Sequence, residues 1–259
     1  MRRVTTTRVT TLVEVLDPVI VCVHAQRYHI FHSMRTCTAL IFDVFGTCVD
    51  WRTSVAREVA AVLPDVDATA FAVAWRAEYD PAMARIRDGG RGYVPLDDLH
   101  LENLHHVAGS FGVTVSDTLN TAWERLDPWP DVVPGLRALK ANHIIAPCSN
   151  GSIALMTRLA KYANLPWDCI LGAELARDYK PKPRVYLSCC EALRLAPDEV
   201  MMVAAHNGDL AAARDAGLQT AFVPRITEYG PSQTADLAPG AAWNVIANDF
   251  MDLARHLHT

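Results

Sequence analysis

The segment ALIFDVFGTCVDW, residues 39–51, runs a short apolar stretch into Asp43 and then turns at Gly46-Thr47. A carboxylate at the end of a buried strand can act as a nucleophile, ligate a metal or cap a helix. Two other apolar runs end in polar groups. HIIAPCSN (143–150) stops at Ser149-Asn150, and EVMMVAAHNGD (199–209) leads to His206 and Asp209. An acid before a turn, standing alone, is more often structural than catalytic. The three ends together bring two acids, a hydroxyl and an amide to one edge, provided their strands lie side by side.

The intervening sequence supplies such strands. WDCILGAE (167–174) and QTAFVP (219–224) are further apolar runs, and GSIALMTRLAKYAN, PRVYLSCCEALRL and DLAAARDAG have helical spacing between them. Apolar strands alternating with helices predict a parallel sheet covered on both faces, with ligands at the carboxyl ends of its strands. Asn150 and Asp209 fall where helix N-caps belong, and Gly217 where a helix should stop. Residues 52–128 read differently. SVAREVAAVL, ATAFAVAWRAEYDPAMARI, LDDLHLENLHHVAGSF and TLNTAWERL are helical with no clear strand among them, and the Pro-rich DPWPDVVPG (127–135) returns to the sheet. The expectation is an α/β protein: a parallel-sheet core from 34–51 and 129–259, with a helical cap, 52–128, inserted after the first strand. Such a cap would hang over the carboxyl edge and exclude water.

Bulk properties narrow the function classes. Of 259 residues, 51% are hydrophobic and 20% charged, enough for a sizeable core and against disorder. Net charge is -5 with no basic run, so no nucleic-acid partner is expected. The seven cysteines are odd in number and lack CxxC or Cys/His ligand spacing, which reads as reduced thiols in a cytoplasmic protein. Cys48 and Cys148 read as packing residues. Residues 1–33 open basic and Thr-rich, and the apolar stretch at 19–23 is too short to span a bilayer. They are expected to be an N-terminal extension without a catalytic role, with no secretory signal and no membrane partner. His105-His106 reads as a solvated helix face, and Trp51, Trp75, Trp123, Trp129 and Trp167 as core or junction residues.

Four motifs resemble those of the haloacid dehalogenase superfamily, aspartyl-nucleophile enzymes with a Rossmann-like core. FDVFGT is similar to the first, CSNGS to the second, Lys180 in DYKPKPRVY to the third and VAAHNGDLAAARDAG to the fourth, all in the expected order. The departures narrow the resemblance. Phosphatases of the superfamily have a second acid two residues after the nucleophile, to protonate a departing alkoxide, where this chain has Phe45. They also keep an acid four residues before the position of Asp209, to help hold magnesium, where this chain has Ala205. A halide leaves as an anion and needs neither. AWRAEYDPAM (74–83), Lys180 with Tyr186, and TEYGP (227–231) further resemble the 2-haloacid dehalogenase branch.

That resemblance implies a cofactor-free, metal-free hydrolase, a cytoplasmic homodimer, that converts a short 2-haloalkanoic acid to the 2-hydroxy acid through an aspartyl ester. Asp43 would be the nucleophile and Lys180 would hold its charge. Thr47, Ser149 and Asn150 would donate hydrogen bonds to Asp43 or to the substrate carboxylate, aided by the helix start after Asn150. Arg76, from the cap, would take the halide or the carboxylate, and Phe45 would wall the site. Asp209 would position the hydrolytic water, and Tyr186 would support Asp43. His206 stands where the branch often has Asn; a role beside the water or halide and a packing role remain equal readings. Plainer roles stay open for the others: a surface pair of Arg76 with Asp80, a loop charge for Lys180, a helix cap for Asp209, a core phenol for Tyr186. The alternatives for the whole chain are a phosphohydrolase of the same superfamily and a non-catalytic binding protein that keeps the fold.

Overall fold

Alternation within each strand explains why the apolar runs become a sheet. In the computed structural model, which describes residues 37–258, Leu40 and Phe42 of the first strand join one hydrophobic cluster while Ala39 and Ile41 join another. Met201 and Val203 divide from Val200, Met202 and Ala204 in the same way. Successive side chains of a strand point to opposite faces, so each run feeds two covered layers and must be apolar throughout. Each buried Val, Leu, Ile, Phe or Met among them contributes roughly 1.5–3 kcal/mol. The expected extension at 1–33 lies outside the described residues, all of which belong to one compact unit.

In chain order the elements are β1 (Ala39–Phe42), β2 (Val49–Asp50), α1 (Trp51–Val62), α2 (Ala68–Ala77), α3 (Tyr79–Arg87), α4 (Leu96–Ser110), a 3-10 turn at Asp117–Glu124, β3 (Asp127–Pro128), α5 (Val132–Lys140), β4 (Ile144–Ser149), α6 (Ile153–Ala163), β5 (Leu171–Gly172), α7 (Ala173–Ala176), α8 (Pro183–Leu193), β6 (Val200–Ala204), α9 (Asn207–Asp215), β7 (Gln219–Phe222), β8 (Val245–Ile246) and α10 (Phe250–Leu257). Six strands form a parallel sheet in the order β5-β4-β1-β6-β7-β8. This is the expected Rossmann-type α/β architecture. β1 lies between β4 and β6, with Phe42 level with Pro147 and Val203, so the loops after all three strands open at one edge.

A two-stranded ribbon that the sequence did not announce controls entry to the helical segment. β2 pairs antiparallel with β3, so the chain leaves for α1 and returns after the 3-10 turn at one point. Asp50 ends β2 and caps α1 by accepting from Thr53 N–H. The Trp129 indole donates to the Gly46 carbonyl at 2.8 Å, and buried Arg225 donates to the Thr47 carbonyl while gripping Asp131 with both arms. The turn that follows Asp43 is therefore clamped from two sides.

Several boundaries differ from the sequence reading. The helical stretch at 68–86 is two helices, divided at Glu78. Ser152, not Asn150, caps α6, its hydroxyl accepting from Leu155 N–H. His206 precedes α9, and Asp209 lies in that helix's first turn rather than at its cap. Only Leu171–Gly172 of the run 167–174 is strand. Trp51, Trp75 and Trp123 are buried, and the His105 and His106 side chains are exposed. Cysteines 37, 48, 148, 169, 189 and 190 are free. No helix among the described residues is long and apolar enough to cross a membrane.

Candidate active site

Asp43 follows β1 directly, and its N–H donates to Val203 O of β6. Its side chain faces a cavity of about 320 Å³ whose walls come from the sheet edge, with Lys180, His206 and Asp209, and from the helical segment, with Arg76 and Tyr79. Lys180 Nζ donates to Asp43 Oδ1 at 2.8 Å. Thr47 Oγ1 donates to Oδ2 at 2.7 Å, and His206 Nδ1 lies 3.0 Å from the same oxygen. The Thr47 hydroxyl is itself held by Ala205 N–H. Burial alone would push the Asp43 carboxyl up, but the Lys180 charge and the His206 hydrogen bond outweigh it and hold the group well below its usual range. That environment favours the ionised carboxylate, the form in which a carboxylate can attack carbon.

Lys180 also donates to Asp209 Oδ2 at 2.5 Å. Burial opposes its charge; the two carboxylates more than restore it and raise its pKa. Asn150 receives the Lys180 N–H on its Oδ1 at 2.9 Å. Asn150 and Tyr79 line the same cavity, one from the sheet edge and one from the helical segment. Tyr186 does not reach Asp43, against expectation. Its hydroxyl donates to Asp209 Oδ1 at 2.5 Å, and burial with the Asp209 charge pushes its pKa far up. Asp209 therefore has a donor on each oxygen, and Tyr186 acts on Asp43 only through the Asp209–Lys180 chain. Ser149 is also displaced from its expected role. Its hydroxyl accepts the Gly151 N–H at 3.1 Å, shaping the turn beneath the cavity rather than lining it.

Arg76 sits at the end of α2 with its guanidinium 3.8 Å from the centre of the Tyr79 ring and 5.6 Å from that of Trp51. The plain alternative, a pair with Asp80, is not formed: Asp80 accepts from Arg87 at 2.7 Å. The Arg76 Nε is buried without a hydrogen-bond partner among the described residues. Aromatic faces thus hold this cation, leaving its N–H fork toward the cavity. Phe45 forms the apolar wall, edge-on to Tyr79, Trp123 and His100.

Glu228 is the site residue that sequence reasoning missed, although TEYGP contains it. It is 1% exposed; its Oε1 accepts from the Trp51 indole at 3.0 Å and its Oε2 meets His206 Nε2 at 2.8 Å. His206 is therefore bracketed by two carboxylates. Burial disfavours its charge, yet Glu228 and Asp43 keep the imidazole protonated well above its ordinary value. Gly46, with φ of +86°, stands against the Glu228 carboxylate, and a Cβ there would overlap it. Gly46 in FGT and Glu228 in TEYGP are thus one contact, which gives the sequence signal a physical reading. Among the described residues, no group of three or more His, Cys, Asp or Glu side chains is arranged to hold a metal ion. A larger groove of about 580 Å³ along α8 lies apart from these groups, and its Arg184 is engaged by the Ala176 carbonyl.

A family model for haloacid dehalogenase-like hydrolases matches residues 37–217. (S)-2-haloacid dehalogenase 4A of Burkholderia cepacia is 29% identical over 215 residues, spanning 80% of this chain and 89% of that protein. The crystal structure of a defluorinating L-2-haloacid dehalogenase aligns with a TM-score of 0.84 at 49% identity, covering 86% of this chain and 95% of that one. A second L-2-haloacid dehalogenase structure aligns at 0.83 and 45% identity, covering 85% and 98%.

Proposed function

The chain belongs to the haloacid dehalogenase-like hydrolases, in their 2-haloacid dehalogenase branch, and from that premise we propose that it hydrolyses short (S)-2-haloalkanoic acids to 2-hydroxy acids through an ester on Asp43. One observation carries the mechanism: the Asp43 carboxylate at the cavity floor is paired with Lys180, and Phe45 and Ala205 stand where a phosphatase needs acids. Such a site favours a leaving group that departs as a stable anion.

Asp43 Oδ1, which has one donor against two on Oδ2, forms the bond to C2. The C–X bond breaks with its electron pair on the halide, and C2 inverts. Arg76 and Asn150 receive the substrate anion and the departing halide, while Phe45 and Tyr79 exclude water. Esterification removes the Asp43 charge, and with it one of the two anions that kept His206 protonated. His206 then sheds its proton more readily and frees Nδ1 as a base, with Glu228 still accepting from Nε2. Water loses a proton to Nδ1 and adds to Cγ of Asp43. The bond between Cγ and the oxygen carried by C2 then breaks, that oxygen takes the proton from Nδ1 to become the product hydroxyl, and the water's second proton passes from the Asp43 carboxyl to His206, which restores the ionised nucleophile. Asp209, held by Tyr186, keeps Lys180 aimed at Asp43 throughout. In this reading the residues at 52–128 work as the cap, and the enzyme is a cytoplasmic homodimer, which light scattering behind a sizing column checks.

Incubation with each enantiomer of 2-chloropropionate in EDTA tests the reaction: the (S) form releases chloride, and no chloride from either would sink it. In heavy-oxygen water a single turnover labels Asp43 first and the hydroxy acid only in later turnovers. Because one similar structure is of a defluorinating enzyme, fluoroacetate belongs in the same assay with a fluoride electrode.

A further inference from the structure

A second cavity of about 440 Å³ adjoins the catalytic one, bounded by Trp51, Val73, Ala77 and Tyr229, and the two share the wall formed by Arg76 and Tyr79. We infer that this second cavity is a halide-binding vestibule through which Arg76 passes the product anion out of the site. The inference rests on the dehalogenase reading above and concerns what happens after the carbon–halogen bond breaks.

In-line displacement places the halide on the side of C2 opposite Asp43, toward the helical segment that carries Arg76. The guanidinium stands on the wall between that side and the second cavity. Arg76 is built for such a passage. It has no hydrogen bond or ion pair to a described residue, and it rests on the Tyr79 face at 3.8 Å and near the Trp51 ring at 5.6 Å. A cation held by π faces can pivot between two cavities without breaking a salt bridge. Asp80 is the other charged residue in the lining of the second cavity. Asp80, on the shared wall, is bonded to Arg87, and Glu228, behind Trp51, faces His206. Arg76 is left as the group that sets the sign of the cavity, and the ligand class that fits is a small monovalent anion.

Iodide is the probe, because it quenches tryptophan fluorescence at close range and Trp51 lines this cavity. At constant ionic strength the wild-type protein shows a saturable quenching component that Trp51→Phe removes. Ala77→Phe, at an exposed position that lines only the second cavity, weakens that component about tenfold. In rapid-quench experiments Ala77→Phe keeps the wild-type rate of the first halide release while its steady-state kcat falls, and Val73→Phe behaves the same way. Quenching that stays linear in iodide, or that survives Trp51→Phe, overturns the vestibule, as does an unchanged kcat in both filled variants. If no 2-haloacid yields halide with the wild-type protein, the reading of the reaction fails, while the iodide titration still decides whether the cavity binds anions.

Discussion

At the scale of residues, the site is a relay of charge: Glu228, His206, Asp43, Lys180 and Asp209 touch in that order, and Tyr186 closes the far end. A reaction that neutralises the central member must change what its neighbours do. His206→Asn removes the base but keeps a donor near Asp43, so alkylation continues and hydrolysis slows by about 10²–10⁴. Intact-protein mass spectrometry should then find the ester accumulating on Asp43, and an unmodified steady state would argue that His206 is not the base. Glu228→Gln should slow the same step and shift the pH dependence of hydrolysis toward acid, because His206 loses the larger of its two anions. Residues delivered by strand ends were legible in sequence: Asp43, Asn150 and Asp209 stand where the apolar runs stop. Arg76 and Lys180 were legible only through motif likeness, since nothing in periodicity marks a solvated lysine from a buried one. Glu228 sits on a loop after β7, where no period exists to flag a buried acid, and its partner Gly46 is distant in sequence. Tyr186 was the right residue with the wrong partner, because spacing along α8 does not say which of two carboxylates its hydroxyl meets.

At the scale of elements, long apolar runs announced β1, β4, β6 and β7, while β2, β3 and β8 were invisible. Two-residue strands carry no alternation to read, and Pro128 argues against a strand unless it lies on an edge, as it does here. The break at Glu78 was equally hidden, because helical spacing continues through it on both sides. The rigidity of the sheet's far side can be separated from the chemistry by one substitution. Gly135 of α5 packs directly on Phe250 of α10, and a Cβ there would overlap that residue. Gly135→Ala should lower stability by about 1–3 kcal/mol through overpacking. Because α5 and α10 do not line the catalytic cavity, activity per folded molecule should be unchanged. Urea unfolding alongside active-site titration checks both halves, and a fall in kcat without a fall in stability would mean the two helices are coupled to the site in a way their packing does not suggest.

At the scale of the whole molecule, the same relay ties folding stability to pH with two opposite signs. Asp43 has its pKa depressed on folding, so its contribution is present above the ordinary value of 3.8 and is lost as pH falls below it. His206 has its pKa raised on folding, so its contribution is complete below 6.5 and is lost as pH rises from there toward the folded value. Their joint contribution is greatest between the two ordinary values, and stability should decline on the alkaline side well before any lysine titrates. Thermal unfolding from pH 5 to pH 9 should therefore show Tm falling above about pH 6.5. His206→Asn should flatten that limb, because the unfolded chain then no longer differs from the folded one in proton uptake at this position. It should also leave the acid limb in place, since Lys180 still holds Asp43 ionised. Equal alkaline slopes in the two proteins would show that His206 is not protonated in the resting fold. The step that frees its nitrogen on esterification would then lose its premise, and the base would have to be sought at Asp209.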